Sequence, residues 1–420
     1  MAVFKFLHAA DLHLDSPLVG LKGKSAEFAE AVGTASRRAL DNLVALAIDE
    51  GCRFVLFAGD VFDGELRDFH TGLFFLEAMR RLDKAGIQVF MVAGNHDAEN
   101  RFADKLVHSK NVHRFSHKKP ESFSIEDLDA VIHGRSFWQR DVYEDIARDY
   151  PPPHANRFNI GVLHTACAGS EGEHRAYAPC TLEQLVNHGY QYWALGHVHT
   201  RMVLNEDPHV VYPGNLQGRN PRETGPKGAT VVEVEDGVVV GCDHHVLDEV
   251  RWASETVDIS AIADRDAMLR HIQLVLAPVC EAAAERPLAL RLGLTGETAR
   301  HGELLLDPAG LREDVETVLA TLSTEVWLER LDISTQPPSM DLADIDPSIA
   351  GRLEAEIGRL GASPDFVPML EACLAAVRVK MPAGEHTEAL FARLRDKAGA
   401  RAVDLAESIV AGVGADRAAG

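Results

Sequence analysis

Apolar runs and helix-period segments alternate through the first half of the chain. VFKFLHA at 3–9, RFVLFA at 53–58 and IQVFMV at 87–92 are short, nearly unbroken apolar runs, as expected of buried strands. Between them, 36–51 (SRRALDNLVALAIDEG) and 71–86 (TGLFFLEAMRRLDKAG) place apolar residues at helical spacing and close on Gly51 and Gly86. That order predicts a sheet covered by helices. A second set follows, with strands at 129–134, 159–164 and 190–197. Thr181 and Gln184 read as a capping box opening the helix TLEQLVNHG. HVVYPG, ATVVEVEDG and VVVGCDHHV add hairpin-like strands, and PPPH at 151–154 reads as a loop.

Near residue 250 the texture changes. WASETVDIS, a helix over 264–285, LALRLGL, ELLL, a helix over 311–321 and VWLERLDIST predict a small α+β domain. The Pro- and Asp-rich stretch STQPPSMDLADIDPS then leads to a mostly helical tail at 348–412. The expected division is 1–250, 251–336 and 337–420. No internal repeat is visible.

The polar residues that end the strands form a second pattern. HAADLHLDS sets Asp11 and His13 two apart on an extended segment, so both side chains can face one side. LFAGDVFDG ends in Asp60 and Asp63, and VAGNHDA in Asn95, His96 and Asp97. NIGVLHT delivers His164, and ALGHVHT delivers His197 and His199. Each motif alone has a bland reading, as a turn, a helix start or a solvated strand end. Open α/β sheets bind ligands beyond the carboxyl ends of their strands, so five such stretches can converge. Seventeen of the twenty histidines precede residue 250, which places the search in this half.

Composition then narrows the chemistry. With 46% hydrophobic residues in 420, the chain can build a large core and two or three domains. The six cysteines form no CxxC pair, which argues against a cysteine-rich zinc site and fits reduced thiols in the cytoplasm. MAVFKFLHAADLHLDS reads as a first strand and not a signal peptide, and no apolar run reaches membrane-spanning length. The formal charge of −22 leaves no obvious basic footprint for duplex DNA. Carboxylate, imidazole and amide donors without thiolate suit Mn²⁺, Fe²⁺ or Zn²⁺. Two such cations about 3.5–4 Å apart clamp a phosphate and activate a water for in-line attack. Asp60, central and glycine-flanked, is the candidate shared ligand, and His96 the candidate proton donor to the leaving oxygen.

The set DLH, GDVFD, GNHD, the lone His after a strand and GHVH resembles the calcineurin-like metallophosphoesterases over about residues 4–245. Within them it looks like the Mre11 and SbcD-type DNA repair nucleases. HAADLHLDSPLVGL and VYPGNLQGRNPRETGPKG look most like their bacterial YhaO-like branch. The resemblance implies a two-layered β-sandwich flanked by helices, a smaller α+β capping domain and a helical tail. It implies one metal on Asp11, His13, Asp60 and His199, and a second on Asp60, Asn95, His164 and His197. His96 matches the catalytic histidine, and Asp63 and Asp97 match residues that support ligands. It further implies two divalent ions, Mn²⁺ first among them, and DNA as substrate. Its partner would be a coiled-coil ATPase of the Rad50, SbcC or YhaN kind, with a homodimer left open.

Arg201, Arg219, Arg222 and Lys227 lie close in sequence to the ligand pair and are candidates for holding phosphates, as are Arg175 and Tyr177. His8 and the phenylalanines Phe62, Phe69, Phe74 and Phe75 read as structural. Two other functions compete with a DNA nuclease. One is a phosphodiesterase or phosphatase of small phosphate esters, which the acidic composition favours. The other is a non-catalytic scaffold, whose mark would be a missing ligand, and none is missing.

Overall fold

Two six-stranded sheets carry the first half of the chain. The computed structural model describes residues 3–16, 26–64, 69–100, 106–167, 177–260, 262, 264–283, 286–322 and 325–338, with Arg359 and Arg393 as isolated positions. The elements run β1 (Val3–Ala9), α1 (Ala26–Asp49), β2 (Phe54–Ala58), α2 (Phe69–Lys84), β3 (Gln88–Val92), α3 (Asn95–Glu99) and β4 (Val112–Arg114). They continue with β5 (Glu121–Ile125), β6 (Ala130–Gly134), β7 (Phe158–His164), α4 (Leu182–Asn187), β8 (Tyr192–Gly196), β9 (Met202–Glu206), β10 (His209–Tyr212), β11 (Gly228–Glu235) and β12 (Val238–Val246). The first sheet has the order β12-β11-β1-β2-β3-β4 and the second β5-β6-β7-β8-β10-β9. β1 to β4 pair in parallel, as do β6, β7 and β8.

The alternation inside β2 shows why these strands are apolar throughout. Phe54, Leu56 and Ala58 face a layer shared with Phe6, Phe90, Ile160 and Tyr192, which glues the two sheets together. Val55 and Phe57 face the opposite way, onto Leu40, Leu43, Phe75 and Met79 of α1 and α2. With period two and both faces covered, every position must be apolar. The outer face of the second sheet buries Leu163, Trp193 and Leu195 against Leu185 and Tyr190.

Several expectations change at this point. α1 begins at Ala26, ten residues before the predicted start at 36, because Phe28, Val32 and Ala35 extend the buried stripe. Gly33 and Thr34 had blurred that period. β4, β5 and β9 are strands the pattern did not announce, and their burial is only partial. Thr181 does cap α4 through Gln184 N at 3.2 Å. The Gln184 amide, however, reaches Asp145 rather than closing the box. Phe69 is exposed, whereas Phe62 and Phe75 are buried.

The second compact unit runs from Ser254 to Ala282 and resumes at Leu290, while Ala283–Ala289 groups with the first. Its region holds β13 (Arg251–Asp258), α5 (Arg265–Ala282), β14 (Leu288–Glu297), α6 (His301–Leu306), α7 (Pro308–Ala320) and β15 (Val326–Gln336). The strands form one sheet in the order β13-β14-β15. Leu290, Leu292 and Leu294 alternate inward on β14, and Met268, Ile272 and Leu276 form the buried stripe of α5. ELLL is the end of α6, and Asp307 caps α7 by accepting from Gly310 N at 2.9 Å. The expected tail at 348–412 lies outside the described residues, apart from those two isolated positions.

Phe54 tests the layer between the sheets. Its ring is fully buried, stacks on Phe6 at 5.0 Å and meets Phe90 edge-on at 5.9 Å. Phe54→Ala is expected to lower stability by about 3–5 kcal/mol, read by denaturant unfolding of the full chain. A loss below about 1 kcal/mol would mean that this layer collapses to fill the cavity.

Candidate metal centre

Five strand ends meet at one edge of the sandwich. Asp11 and His13 follow β1, Asp60 follows β2 and Asn95 opens α3 directly after β3. His164 ends β7, and His197 and His199 follow β8. The side chains of Asp11, His13, Asp60, His164 and His199 are almost fully buried. Four of these positions, Asp11, His13, Asp60 and His197, hold positive φ. Left-handed backbone is uncommon outside glycine and costs about 1–3 kcal/mol where surrounding structure enforces it. Two glycines make room. A Cβ on Gly59 would lie 2.4 Å from His164 Nδ1, and one on Gly94 would lie 2.3 Å from Asp60 Oδ1.

Hydrogen bonds orient two of the histidine rings. His164 Nδ1 lies 2.9 Å from the Ala58 carbonyl, so it donates there. His199 Nδ1 lies 2.9 Å from Glu223 Oε1. His13 Nδ1 lies 3.4 Å from Asp63 Oδ1 without a hydrogen bond. The Nε2 atoms turn toward one another and toward oxygens. His13 Nε2 and His199 Nε2 are 3.2 Å apart. His164 Nε2 sits 3.0 Å from Asn95 Oδ1 and 3.4 Å from Asp60 Oδ2. A proton can bridge each of these pairs, and so can a divalent cation that takes both atoms as ligands.

The donors therefore fit divalent metals. Nδ1 anchored on a carboxylate or carbonyl is the usual way a protein orients a histidine ligand. Asp11, His13 and His199 converge within 4.8 Å of one another, as do Asp11, Asp60 and His164. His13, Asp60 and His96 form a third such group. Asp11 also accepts the His197 backbone N–H on both oxygens, at 3.1 and 3.0 Å, and the His197 ring lies edge-on to His164 at 5.2 Å.

Charges in the cluster depend on one another. Burial pushes the Asp11 carboxyl up to about 6. Burial works against the Asp60 charge as well, yet His164 and His13 hold that carboxyl below its ordinary range. Burial would lower His164, but Asp60 and Asp11 raise it to about 9. His13 is pushed down to about 3, mainly by burial and also by Arg219. The Asp60 and Asp11 carboxylates thus favour positive charge at this position, which a divalent ion would supply.

His96 differs from the other rings. Its side chain is 27% exposed, against 1% for His13 and 0% for His164. Its Nδ1 donates to Asp63 Oδ1 at 2.9 Å, and Asp63 Oδ2 accepts from the Ser16 hydroxyl at 2.6 Å. Burial opposes the charge on His96, but the Asp63 hydrogen bond and the Asp60 carboxylate outweigh it and raise its pKa. Asp97 is turned away from the donors. It accepts from Val61 N, Phe62 N and Gly94 N at 3.2, 3.0 and 3.1 Å, lashing the loops that carry Asp60 and Asn95 together.

The expected phosphate-binding residues divide. Lys227 is buried and donates to the His199 carbonyl at 2.9 Å, and Arg201 donates to the Cys242 carbonyl at 3.2 Å. Both brace the fold, which corrects their reading as phosphate contacts. Arg219 stays at the site, 3.1 Å from Glu223 and 3.7 Å from Asp63. Arg222 is exposed beyond it. Tyr177 is buried, donates to Asp141 at 2.7 Å and packs its ring 5.7 Å from His197. Arg175 lies outside the described residues.

Glu223 and Ser16 escaped the reading of the sequence. Glu223 gathers His199, Arg219 and Asn215 around one carboxylate, and no spacing rule connects it to His199.

Comparison with known proteins agrees with this architecture. The family model described as calcineurin-like phosphoesterase matches residues 4–201, and the model for the middle domain of metallophosphoesterase YhaO matches 252–336. The metallophosphoesterase YhaO of Bacillus subtilis (strain 168) is 34% identical over 357 residues, covering 83% of this chain and 86% of that protein. The DNA double-strand break repair protein Mre11 of Methanopyrus kandleri is 22% identical, covering 62% of this chain and 60% of that protein. A solved dimetal phosphatase from Danio rerio, 14% identical, aligns with a TM-score of 0.36 over 59% of this chain and 98% of that one. The chain belongs to the calcineurin-like metallophosphoesterases, a family of phosphoester hydrolases that use divalent metals.

Asp60→Asn keeps the shape of the side chain and its acceptor for His96 N while removing its charge. After reconstitution with Mn²⁺, metal analysis is expected to show loss at two positions per chain. Asp11→Asn is expected to impair one position more than the other. Two ions held tightly by the Asp60→Asn protein would count against a shared carboxylate.

Proposed function

We propose that this chain is a two-metal phosphodiesterase acting on DNA, with Mn²⁺ as the preferred ion. One observation carries the two-metal reading. Asp60 Oδ2 stands 3.4 Å from His164 Nε2 and 3.9 Å from His13 Nε2, so a single carboxylate oxygen faces both groups of imidazoles. Asp11, His13, Asp60 and His199 would hold one ion, and Asp60, Asn95, His164 and His197 the other. When bound, such ions neutralise the phosphate and activate the attacking water.

The remaining work falls to residues of the chain itself. His96, half-buried among buried ligands, is the ring open to a substrate. The Asp63 carboxylate holds its Nδ1 proton and orients the ring, leaving Nε2 to protonate the departing 3′ oxygen. Arg219, anchored by Glu223, supplies fixed positive charge beside Asp63. DNA as substrate draws its support from the likeness to Mre11, whose name states a role in double-strand break repair. The formal charge of −22 argues that long duplex is held with help from a basic partner, an ATPase of the structural-maintenance-of-chromosomes kind acting in DNA repair. The cytoplasm is the compartment that fits this reading. No helix among the described residues is long and apolar enough to cross a membrane.

Two experiments test this reading. His96→Asn is expected to retain both ions while losing about 10²–10⁴ in rate on DNA. The loss should shrink on bis-p-nitrophenyl phosphate, whose leaving group needs little protonation. Equal losses on both substrates would make His96 a phosphate-binding or structural residue. For the partner, a chain truncated near residue 340 should no longer co-purify with the ATPase. Undiminished association would move the docking surface to the residues before that point.

A further inference from the structure

Cys167 and Cys180 face each other across an isolated parallel β-bridge just past the end of β7. Residues paired in this way stand about 4.7–5.5 Å apart at Cα, within the roughly 4.4–6.8 Å that a disulfide spans. Their side chains meet as well. The two thiols lie within hydrogen-bonding reach of each other, and Cys180 Sγ is 3.3 Å from Thr165 Oγ1. Both are free thiols and both are buried. They are also the closest of the six cysteines in the sequence.

The neighbouring backbone is laced together on both sides of the pair. The Tyr212 hydroxyl accepts from Cys167 N at 2.9 Å and donates to the Thr165 carbonyl at 2.8 Å. Thr165 Oγ1 donates to the Ala178 carbonyl at 2.7 Å, and Ala166 N to the Tyr177 carbonyl at 2.9 Å. Little of the chain has to move for the two sulfurs to bond.

The contact makes the thiols unequal. Hydrogen bonding from Cys180 lowers the pKa of Cys167 and leaves that of Cys180 raised. Burial raises the thiols of Cys52, Cys242 and Cys280 instead. The thiolate is the reactive form, so Cys167 is the nucleophile and Cys180 the thiol that resolves it. Burial also selects the oxidant. A peroxide little larger than water can reach such a sulfur, whereas exchange with a bulky disulfide needs open access.

We propose that Cys167 and Cys180 are a peroxide-sensitive dithiol that closes into a reversible disulfide shortly after the metal ligand His164. The Cys167 thiolate attacks one oxygen of hydrogen peroxide, and the O–O bond breaks. Cys167 becomes a sulfenic acid, and the departing hydroxide takes the proton that Cys167 gave up and leaves as water. Cys180 then attacks the sulfenic sulfur. An S–S bond forms, the S–O bond breaks, and the second water leaves with the Cys180 proton. Two thiols lose two electrons and one peroxide becomes two waters. In a reducing compartment the pair rests as thiols and closes only under oxidation.

Peptide mapping of the full chain tests this directly. Arg175 lies between the two cysteines, so trypsin leaves them on separate peptides that only a disulfide joins. After hydrogen peroxide in the presence of a metal chelator, with N-ethylmaleimide added on denaturation, the joined peptide is expected. Its mass should equal the sum of the two peptides less two hydrogens, and dithiothreitol should separate them. Oxidised glutathione should join little. Cys180→Ser should stop at a Cys167 sulfenic acid that dimedone traps, and Cys167→Ser should leave Cys180 open to the maleimide. The parent chain decides the matter even if a variant fails to fold. Two thiols still alkylated after peroxide would overturn the proposal. So would equal joining by oxidised glutathione, or cross-links to other cysteines formed as readily.

Discussion

One electrostatic requirement organises the strand ends of the first half, positive charge among buried nitrogen and oxygen atoms. His164 and His199 commit Nδ1 to a carbonyl and a carboxylate, and their Nε2 atoms lie against Asn95, Asp60 and His13. Buried polar groups without partners cost free energy. A proton or a divalent ion placed among these atoms satisfies them. Positive φ at Asp11, His13, Asp60 and His197 belongs to the same logic. Local conformational comfort is given up at four positions so that ligands from separate strands point inward together.

Around that centre the supporting residues fall into two kinds. Asp97, Lys227 and Arg201 bond to backbone and hold loops, so their charges are spent inside the fold. Asp63 and Glu223 bond to rings and set orientation and proton position, so their chemistry is expressed through His96 and His199. Both kinds are acids or bases at least partly buried, and composition alone does not distinguish them. Only the partner does.

That difference also separates what the sequence reveals from what it conceals. Strand-end residues such as Asp11, Asp60 and His164 were legible because a buried strand leaves an apolar run and the polar residue after it stands out. The two-sheet layer was expected from the family resemblance alone, since apolar runs such as that around Phe54 announce buried strands without saying what covers them. Glu223 was not, because its contact with His199 closes across a loop with no periodic signature. Arg201 and Lys227 were misread because proximity in sequence to the ligands says nothing of which way a long side chain turns. The start of α1 was hidden by Gly33 and Thr34, which interrupt its stripe without breaking its helix.

Charge bears on what the site itself must supply. With 64 acidic and 42 basic residues the chain carries a formal charge of −22, and salt screens that field beyond about 8–10 Å. Arg219 beside Asp63 and the raised pKa of His96 set positive charge against it at the site. Divalent ions held by the buried carboxylates and imidazoles would add to that charge over the same short range. A phosphate ester is therefore drawn by charges close to its own phosphate and not by the surface as a whole.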